Sequence, residues 1–261
     1  MAVKLTHMLL ASAVCIMMHT ATFAQDAGDN AAFGELKQRL DVAVNDADRN
    51  GVRASISEIE SFTEHTSFAH YAHYYLAYAW YRLYNFSTDA SEKTEPKYLD
   101  NSIQHAKKAI DLMPEFAEAH IILGNAYGVK AEKSVFAGIR FGNKAKNLFQ
   151  KAQKLDPENP RAAMFVGVGT MYKPAVLGGS TKKAIEEFMH AALLFESFMP
   201  SNILTPSWGH AELYAWLGQA YEKVGEYEKG VSAYKKALEI RPGYRWVRDK
   251  LLPDLENRSS N

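Results

Sequence analysis

Three histidines, His65, His70 and His73, have the residue type and spacing closest to a metal site in this chain. His70 and His73 are three residues apart, so a helix would carry both imidazoles on one face, and imidazole is a common zinc ligand. A complete site needs further ligands, and no carboxylate or cysteine completes the set. We therefore expect no metal site and no cofactor.

The motifs of covalent catalysis and of phosphate binding are incomplete. Ser180 follows Gly178 and Gly179, but a nucleophile elbow needs a strand, a turn and a helix around the serine. The same glycine pair lacks the Gly-Lys-Ser/Thr ending of a phosphate-binding loop. Carboxylates are spread along polar faces, as solvated helices require. The sequence therefore predicts a binding protein and not an enzyme.

The charge balance argues against polyanionic partners. The chain has 261 residues, and its 30 Lys and Arg residues are matched by 30 Asp and Glu residues. This balance gives no basic excess that would favour nucleic acid or an anionic membrane surface. Apolar content is ordinary for a folded protein.

The first 24 residues have the features of a secretory signal. Lys4 supplies a small positive region, Met8–Met18 is mostly apolar, and small residues near Ala24 predict cleavage after it. The apolar run is too short for a comfortable membrane span, so we expect a periplasmic or secreted mature chain without one. Cys15, the only cysteine, lies within this signal and makes a poor lipoprotein site.

The chain is organised around residues 211–244, which read as two helices joined by a turn. Large residues of the first helix fall on one stripe, namely Tyr214, Leu217 and Tyr221. Gly218 lets a neighbouring helix approach, Gly225 allows the turn, and Pro242 ends the second helix. One such hairpin cannot bury its own apolar faces, so it needs neighbours.

This 34-residue unit resembles the tetratricopeptide repeat (TPR) family, because it matches the family at most of the signature positions. Its matching residues are Tyr214, Leu217, Gly218, Tyr221, Tyr234, Ala237 and Pro242. Gly230 departs from the usual Ala at position 20. The resemblance implies an all-α, right-handed solenoid, here about five helical hairpins and a C-terminal capping helix.

The same register divides the whole chain. We expect a signal peptide at 1–24, an atypical N-terminal hairpin at 25–67 and TPR-like repeats with insertions at 68–244. A capping helix and tail at 245–261 would close the stack. One insertion, residues 134–142, is apolar enough that we expect it to be buried.

TPR arrays line their concave face with the first helix of each hairpin, and the resemblance implies which residues lie there. The predicted partner-binding or ligand-binding residues are Tyr71, Tyr74, Tyr78, Tyr81, Arg82, Asn125, Met164, Tyr172 and Gln219. Tyrosines suit recognition because they combine apolar area with a hydroxyl and few torsions. The alternative, left open here, is that some of these tyrosines pack as core under a loop or the N-terminal hairpin.

Further motifs resemble a group of small exported bacterial TPR proteins of unsettled function. They are Asn159-Pro160-Arg161, Pro174, Gly178-Gly179 and Trp208-Gly209-His210. A weaker resemblance, to periplasmic TPR subunits of TRAP-type transporters, rests on the glycine pair. The first hypothesis is an exported scaffold or peptide-binding module with a protein partner. The alternative is a solute-binding accessory subunit for a small apolar or aromatic molecule, if segments 128–143 and 200–210 close the groove into a pocket.

Overall fold

The computed structural model describes residues 28–65, 67–87 and 97–259, and its regular secondary structure over these residues is helical. The predicted signal at 1–24, with Cys15, lies outside the described residues, as does most of the loop after residue 87. Within the described ranges, the helices are all too short or too polar to cross a membrane.

The helices follow one another in pairs along the chain. Their bounds are α1 (28–45), α2 (Arg49–Ile59), α3 (Ala69–Phe86), α4 (Tyr98–Leu112), α5 (Ala117–Ala131), α6 (Val135–Leu155), α7 (Pro160–Tyr172), α8 (Thr181–Ser197), α9 (His210–Lys223), α10 (Tyr227–Ile240) and α11 (Leu252–Ser259). Helix α3 packs on α4, α5 on α6, α7 on α8 and α9 on α10, while the first helices of successive pairs also touch. This arrangement confirms the predicted all-α solenoid of helical hairpins.

Side-chain caps and glycines set several helix ends. The Asn159 side chain accepts hydrogen bonds from the first backbone amides of α7, with Pro160 in the first turn. Ser134 caps α6, and Ser180 caps α8 by accepting from the backbone amide of Lys183 at 3.2 Å. Gly225, with a φ of 79°, makes the turn between α9 and α10.

Glycines at position 8 of the repeats allow the two helices of a hairpin to touch. A Cβ on Gly218 would lie 2.3 Å from Cε1 of Tyr234, and one on Gly124 would lie 2.4 Å from Cε1 of Phe149. Both distances are far below a van der Waals contact, so the aromatic ring fills the space that a larger residue would need.

The C-terminal segment explains the departure at position 20. Val247 and Leu255 are fully buried in a cluster with Tyr234 and Ala237. A Cβ on Gly230 would lie 2.7 Å from Cδ2 of Leu255. Glycine therefore stands at position 20 because α11 packs closely on α10 there.

The expected burial of residues 134–142 is wrong. The segment forms the first turns of α6, where Val135, Phe136 and Ile139 are exposed. Helix α6 has 21 residues whereas its partner α5 has 15, and its buried residues, Ala145, Phe149 and Ala152, all lie in its later part. Val135, Phe136 and Ile139 therefore have no helix to cover them.

Candidate functional site

The connection between α8 and α9, residues 198–209, crosses the concave face. We call it the groove segment. The indole of Trp208 stacks on the ring of Tyr78 with centroids 5.3 Å apart, and its Nε1 donates a hydrogen bond to Oη of Tyr74 at 2.7 Å. The hydroxyl of Tyr75 donates to the carbonyl of Leu204 at 2.7 Å. The chain therefore fills this half of the groove with its own backbone and indole.

Helix α1 holds the groove segment from the other side. The rings of Phe33 and Tyr75 meet edge to face at 6.0 Å. Lys37 donates from Nζ to Oγ of Ser207 at 3.0 Å and pairs with Asp41 at 3.0 Å. Burial raises the pKa of Asp41, although Lys37 opposes the rise. The N-terminal hairpin is thus tied to the groove as well as to α3.

This covering decides where several predicted site residues lie. Tyr74, Tyr78, Arg82 and Met164 are all buried. Tyr74 and Tyr78 therefore pack as core residues, which is the alternative that the sequence left open. Tyr71 is half-buried at the end of the groove, where its hydroxyl accepts a hydrogen bond from Asn202 Nδ2 at 3.4 Å. These positions do not measure binding, so the role of the nine residues in recognition stays a prediction.

A buried ion pair closes the solenoid across its concave side. Arg82 of α3 donates from Nη2 to Oε1 of Glu212 of α9 at 2.6 Å, although 130 residues separate them. Arg241 donates to the same oxygen at 2.9 Å. Burial alone would raise the pKa of Glu212, but the two guanidinium groups lower it to about 2. The carboxylate is therefore charged and held from two sides.

A second buried network fixes the groove segment to the neighbouring repeats. Arg161 donates from Nε to Oε1 of Glu118 at 2.7 Å and from Nη1 to the carbonyl of Trp208 at 3.1 Å. Asn159 donates from Nδ2 to the same oxygen of Glu118 at 2.8 Å. The sequence motif Asn159-Pro160-Arg161 thus caps α7 and anchors the segment that crosses the groove.

The other half of the concave face carries a cluster of aromatic side chains that the groove segment leaves partly exposed. We call it the aromatic mouth, and it consists of Tyr172, Trp216, Tyr244 and Trp246. Trp216 lies 6.0 Å from both Tyr172 and Trp246, measured between ring centroids, and Tyr244 lies 6.3 Å from Trp246. The Lys223 ammonium lies 4.3 Å from the Tyr172 ring centroid. Large flat surfaces beside a cation suit the binding of a side chain or small ring from outside.

Three further residues of the predicted site, Tyr81, Asn125 and Gln219, lie on α3, α5 and α9. Burial raises the pKa of Tyr81 and of Tyr172, and the charge of Glu132 adds to both rises. Asn125 Nδ2 is buried without a hydrogen-bond partner among the described residues. Gln219 is half-buried and donates to a backbone carbonyl of its own helix at 3.4 Å.

Sequence reasoning missed Trp216, Tyr244 and Trp246. The family register places Ala215 on the concave face, but Ala215 is fully buried. Trp216 lies four residues after Glu212 and three before Gln219, so a helical stripe drawn through those two residues would have found it. Tyr244 is the last position of the repeat and Trp246 follows it, and the repeat register assigns neither to the concave face.

The histidines considered as metal ligands do not come together. His65 stacks on Phe68 with ring centroids 3.7 Å apart. His73 instead meets His105 of α4, with the two Nδ1 atoms 3.0 Å apart. Burial and the neighbouring His73 lower the pKa of His105 to about 4. Among the described residues there is no group of three or more side chains able to hold a metal ion.

Stacked helical hairpins whose first helices face a concave groove define a protein of the TPR type. Residues 38–249 match the sequence profile of the family described as Regulator of microtubule dynamics protein 1-3, and the chain belongs to that family. A comparison with curated proteins found no match.

Two solved structures share the fold. One is TTC0263, a thermophilic TPR protein of Thermus thermophilus, with a TM-score of 0.57, 16% identity and coverage of 82% of this chain and 96% of that chain. The other is the HusA haemophore of Porphyromonas gingivalis, with a TM-score of 0.61, 18% identity and coverage of 74% and 92% respectively. At these identities the likeness establishes the fold alone.

Proposed function

We propose that this chain is an exported protein-interaction scaffold that binds an extended peptide segment of a partner at the aromatic mouth. The observation that carries the proposal is that Tyr172, Trp216 and Trp246 converge from three separate elements and remain partly exposed. Aromatic residues are enriched at protein interfaces, and Trp and Tyr are enriched among the few residues that carry most of the binding free energy. The TPR fold itself is commonly used for this purpose.

The groove segment indicates what kind of partner fits. Its backbone carbonyls at Leu204 and Trp208 accept hydrogen bonds from Tyr75 and Arg161, while an indole lies on Tyr78. Backbone carbonyls and one aromatic side chain are thus already recognised by this concave face. We expect a partner segment of the same chemistry beside it, with a modest affinity of about micromolar because the free surface is small.

Export is part of this proposal and rests on the signal predicted at residues 1–24. The family's name concerns microtubule dynamics, whereas an exported chain would meet partners outside the cytoplasm. The partner class is therefore argued from the surface and not from that name. Cell fractionation with N-terminal sequencing tests the location. A mature chain that begins after Ala24 supports export, and an intact N-terminus in the cytoplasm refutes it.

The alternative is a solute-binding accessory subunit that holds a small apolar or aromatic molecule. The unpartnered Nδ2 of buried Asn125 favours it, because a ligand acceptor would satisfy this donor. One structural relative is the HusA haemophore, which makes haem a reasonable probe. Against this alternative, the groove segment itself packs into the groove, with Trp208 on Tyr78 and Leu204 bonded to Tyr75.

The test compares two exposed aromatic residues. Trp246 lies in the mouth and Tyr227 lies on α10, and their exposed fractions are 38% and 39%. Trp246→Ala and Tyr227→Ala variants would be cross-linked in cell extract beside the unaltered protein, and peptides of any captured protein would then be titrated by tryptophan fluorescence. We expect binding about tenfold weaker for Trp246→Ala and unchanged for Tyr227→Ala.

The other outcomes are distinct. Haem or another small molecule that co-purifies with the unaltered protein, without a captured protein, supports the solute-binding alternative. Equal binding by both variants would show that the mouth is not the recognition surface and would refute the proposal.

A further inference from the structure

Helix α6 carries a concentrated positive charge. Its 21 residues include five basic side chains and no acidic one. The basic residues are Arg140, Lys144, Lys146, Lys151 and Lys154, and all are exposed. Because the whole chain is formally neutral, the rest of the molecule carries the compensating negative charge. The charge balance that argued against anionic surfaces therefore conceals a local basic helix.

The first turns of the same helix expose apolar side chains to water. Phe136 is 85% exposed and Ile139 is 65% exposed, and Val135 lies beside them. An isolated exposed apolar residue needs no explanation, but three within five positions at the start of one helix form a patch. The patch and the five cations belong to one rigid element.

A second apolar turn follows α7. Val176 is 93% exposed and Leu177 is also exposed, within a short 3-10 turn at Ala175–Leu177. Helices α5 and α7 pack side by side as first helices of successive hairpins, so the connections after them emerge at the same edge of the solenoid. Lys173 is exposed just before this turn.

We propose that this edge, which consists of residues 135–146 of α6 and the turn at Ala175–Leu177, docks on a membrane surface rich in anionic lipid. We call it the basic-apolar edge. Exposed aliphatic and aromatic side chains enter the boundary between headgroups and acyl chains, and neighbouring lysines and arginines attract anionic headgroups. The apolar side chains project from the ends of a helix and a turn, which suits a planar interface better than a peptide.

Two other occupants fit the edge less well. A second copy of the chain would bring Arg140, Lys144 and Lys146 against the same cations in a symmetric contact, and like charges oppose it. A nucleic acid would satisfy the cations but would leave Val135, Ile139 and Val176 in water. An anionic bilayer satisfies both the charge and the apolar surface.

The test places an environment-sensitive fluorophore on the edge. Ile139→Cys and Leu193→Cys, each in a full-length chain with Cys15→Ser, would be labelled with a nitrobenzoxadiazole dye. Leu193 on α8 is 64% exposed, so it matches Ile139 at 65%. Vesicles of phosphatidylcholine alone would be compared with vesicles that also contain phosphatidylglycerol. Any binding through the N-terminal residues affects both labelled proteins equally.

We expect a blue-shifted, brighter signal from position 139 with anionic vesicles, a weak signal with neutral vesicles and no change at position 193. Added salt should reduce the response because it screens the headgroup attraction. Phe136→Ser should weaken vesicle binding about tenfold, whereas Leu193→Ser should leave it unchanged. Phe136 is too exposed for its substitution to unfold the protein, and a melting curve of Phe136→Ser is the control for this.

Several results would overturn the proposal. Equal responses at positions 139 and 193, or a response that does not depend on anionic lipid, would remove the edge as the docking surface. A dimer that Phe136→Ser converts to a monomer would assign the edge to contacts between copies. A response of position 139 to homopolymeric RNA, with none to vesicles, would assign it to nucleic acid.

Discussion

Replacing Glu212 by glutamine tests the buried ion pair that joins α3 to α9. Glutamine has nearly the shape of a protonated glutamic acid, so the substitution removes the charge and little else. Arg82 and Arg241 would then face one another without the carboxylate that both contact. Removing one member of a buried ion pair is strongly destabilising, by about 3–5 kcal/mol.

The pKa of Glu212 gives the magnitude independently. The folded protein lowers this pKa from 4.5 to about 2. The difference corresponds to about 3 kcal/mol of stability at neutral pH. Because the pKa is lowered on folding, this stability is fully present above pH 4.5 and is lost as the pH falls towards 2. At pH 3 about half of this stability should remain.

Urea unfolding of the protein and of Glu212→Gln at pH 7 and pH 3 measures both values. We expect the variant to be less stable by about 3 kcal/mol at pH 7, with a gap that narrows by about half at pH 3. Glu239→Gln is the control, because its pair with Lys236 is exposed, and it should leave the free energy of unfolding nearly unchanged. A gap below about 1 kcal/mol for Glu212→Gln at pH 7, or one that does not change with pH, would refute the reasoning.

Two further comparisons separate core from open surface. Leu217→Ala and Tyr78→Ala should each cost about 2–5 kcal/mol in thermal or urea unfolding, because both side chains are buried; a much smaller loss for Tyr78→Ala would return it to the groove surface. Gly218→Ala should cost about 1–3 kcal/mol because its Cβ meets Tyr234. Gly128→Ala, whose Cβ meets nothing within 4 Å, should instead stabilise by about 0.5–1 kcal/mol; equal losses for the two glycines would contradict the packing described.

The repeat architecture was predictable because its signals are local. Gly218 and Tyr234 lie sixteen residues apart in one hairpin, and a small residue paired with a large one at these positions indicates that the two are in contact. Helix caps such as Ser180 act on the backbone three residues away. Periodicity, caps and small-large pairs therefore defined the all-α solenoid before any contact between distant repeats was known.

The state of the groove was not predictable because it depends on distant segments. The backbone carbonyl of Leu204 accepts a hydrogen bond from Tyr75, which lies 129 residues away in the sequence, and no local pattern predicts that pairing. The exposure of Phe136 was not predictable for a similar reason. The apolar sequence does not show whether the partner helix α5 is long enough to cover this side chain. Trp216 could have been predicted from the helical stripe through Glu212 and Gln219. Trp246 could not, because it follows the last repeat and the repeat register does not extend to it.

The ion pair between Arg82 and Glu212 also changes the mechanics of the chain. In most repeat arrays each unit contacts only its neighbours, so the two ends can unfold separately. Here the second hairpin is fastened to the fifth, so neither end can peel away without breaking a buried charge contact. We therefore expect the solenoid to unfold as one unit and to fold slowly for a helical protein, since its closing contact spans half of the sequence.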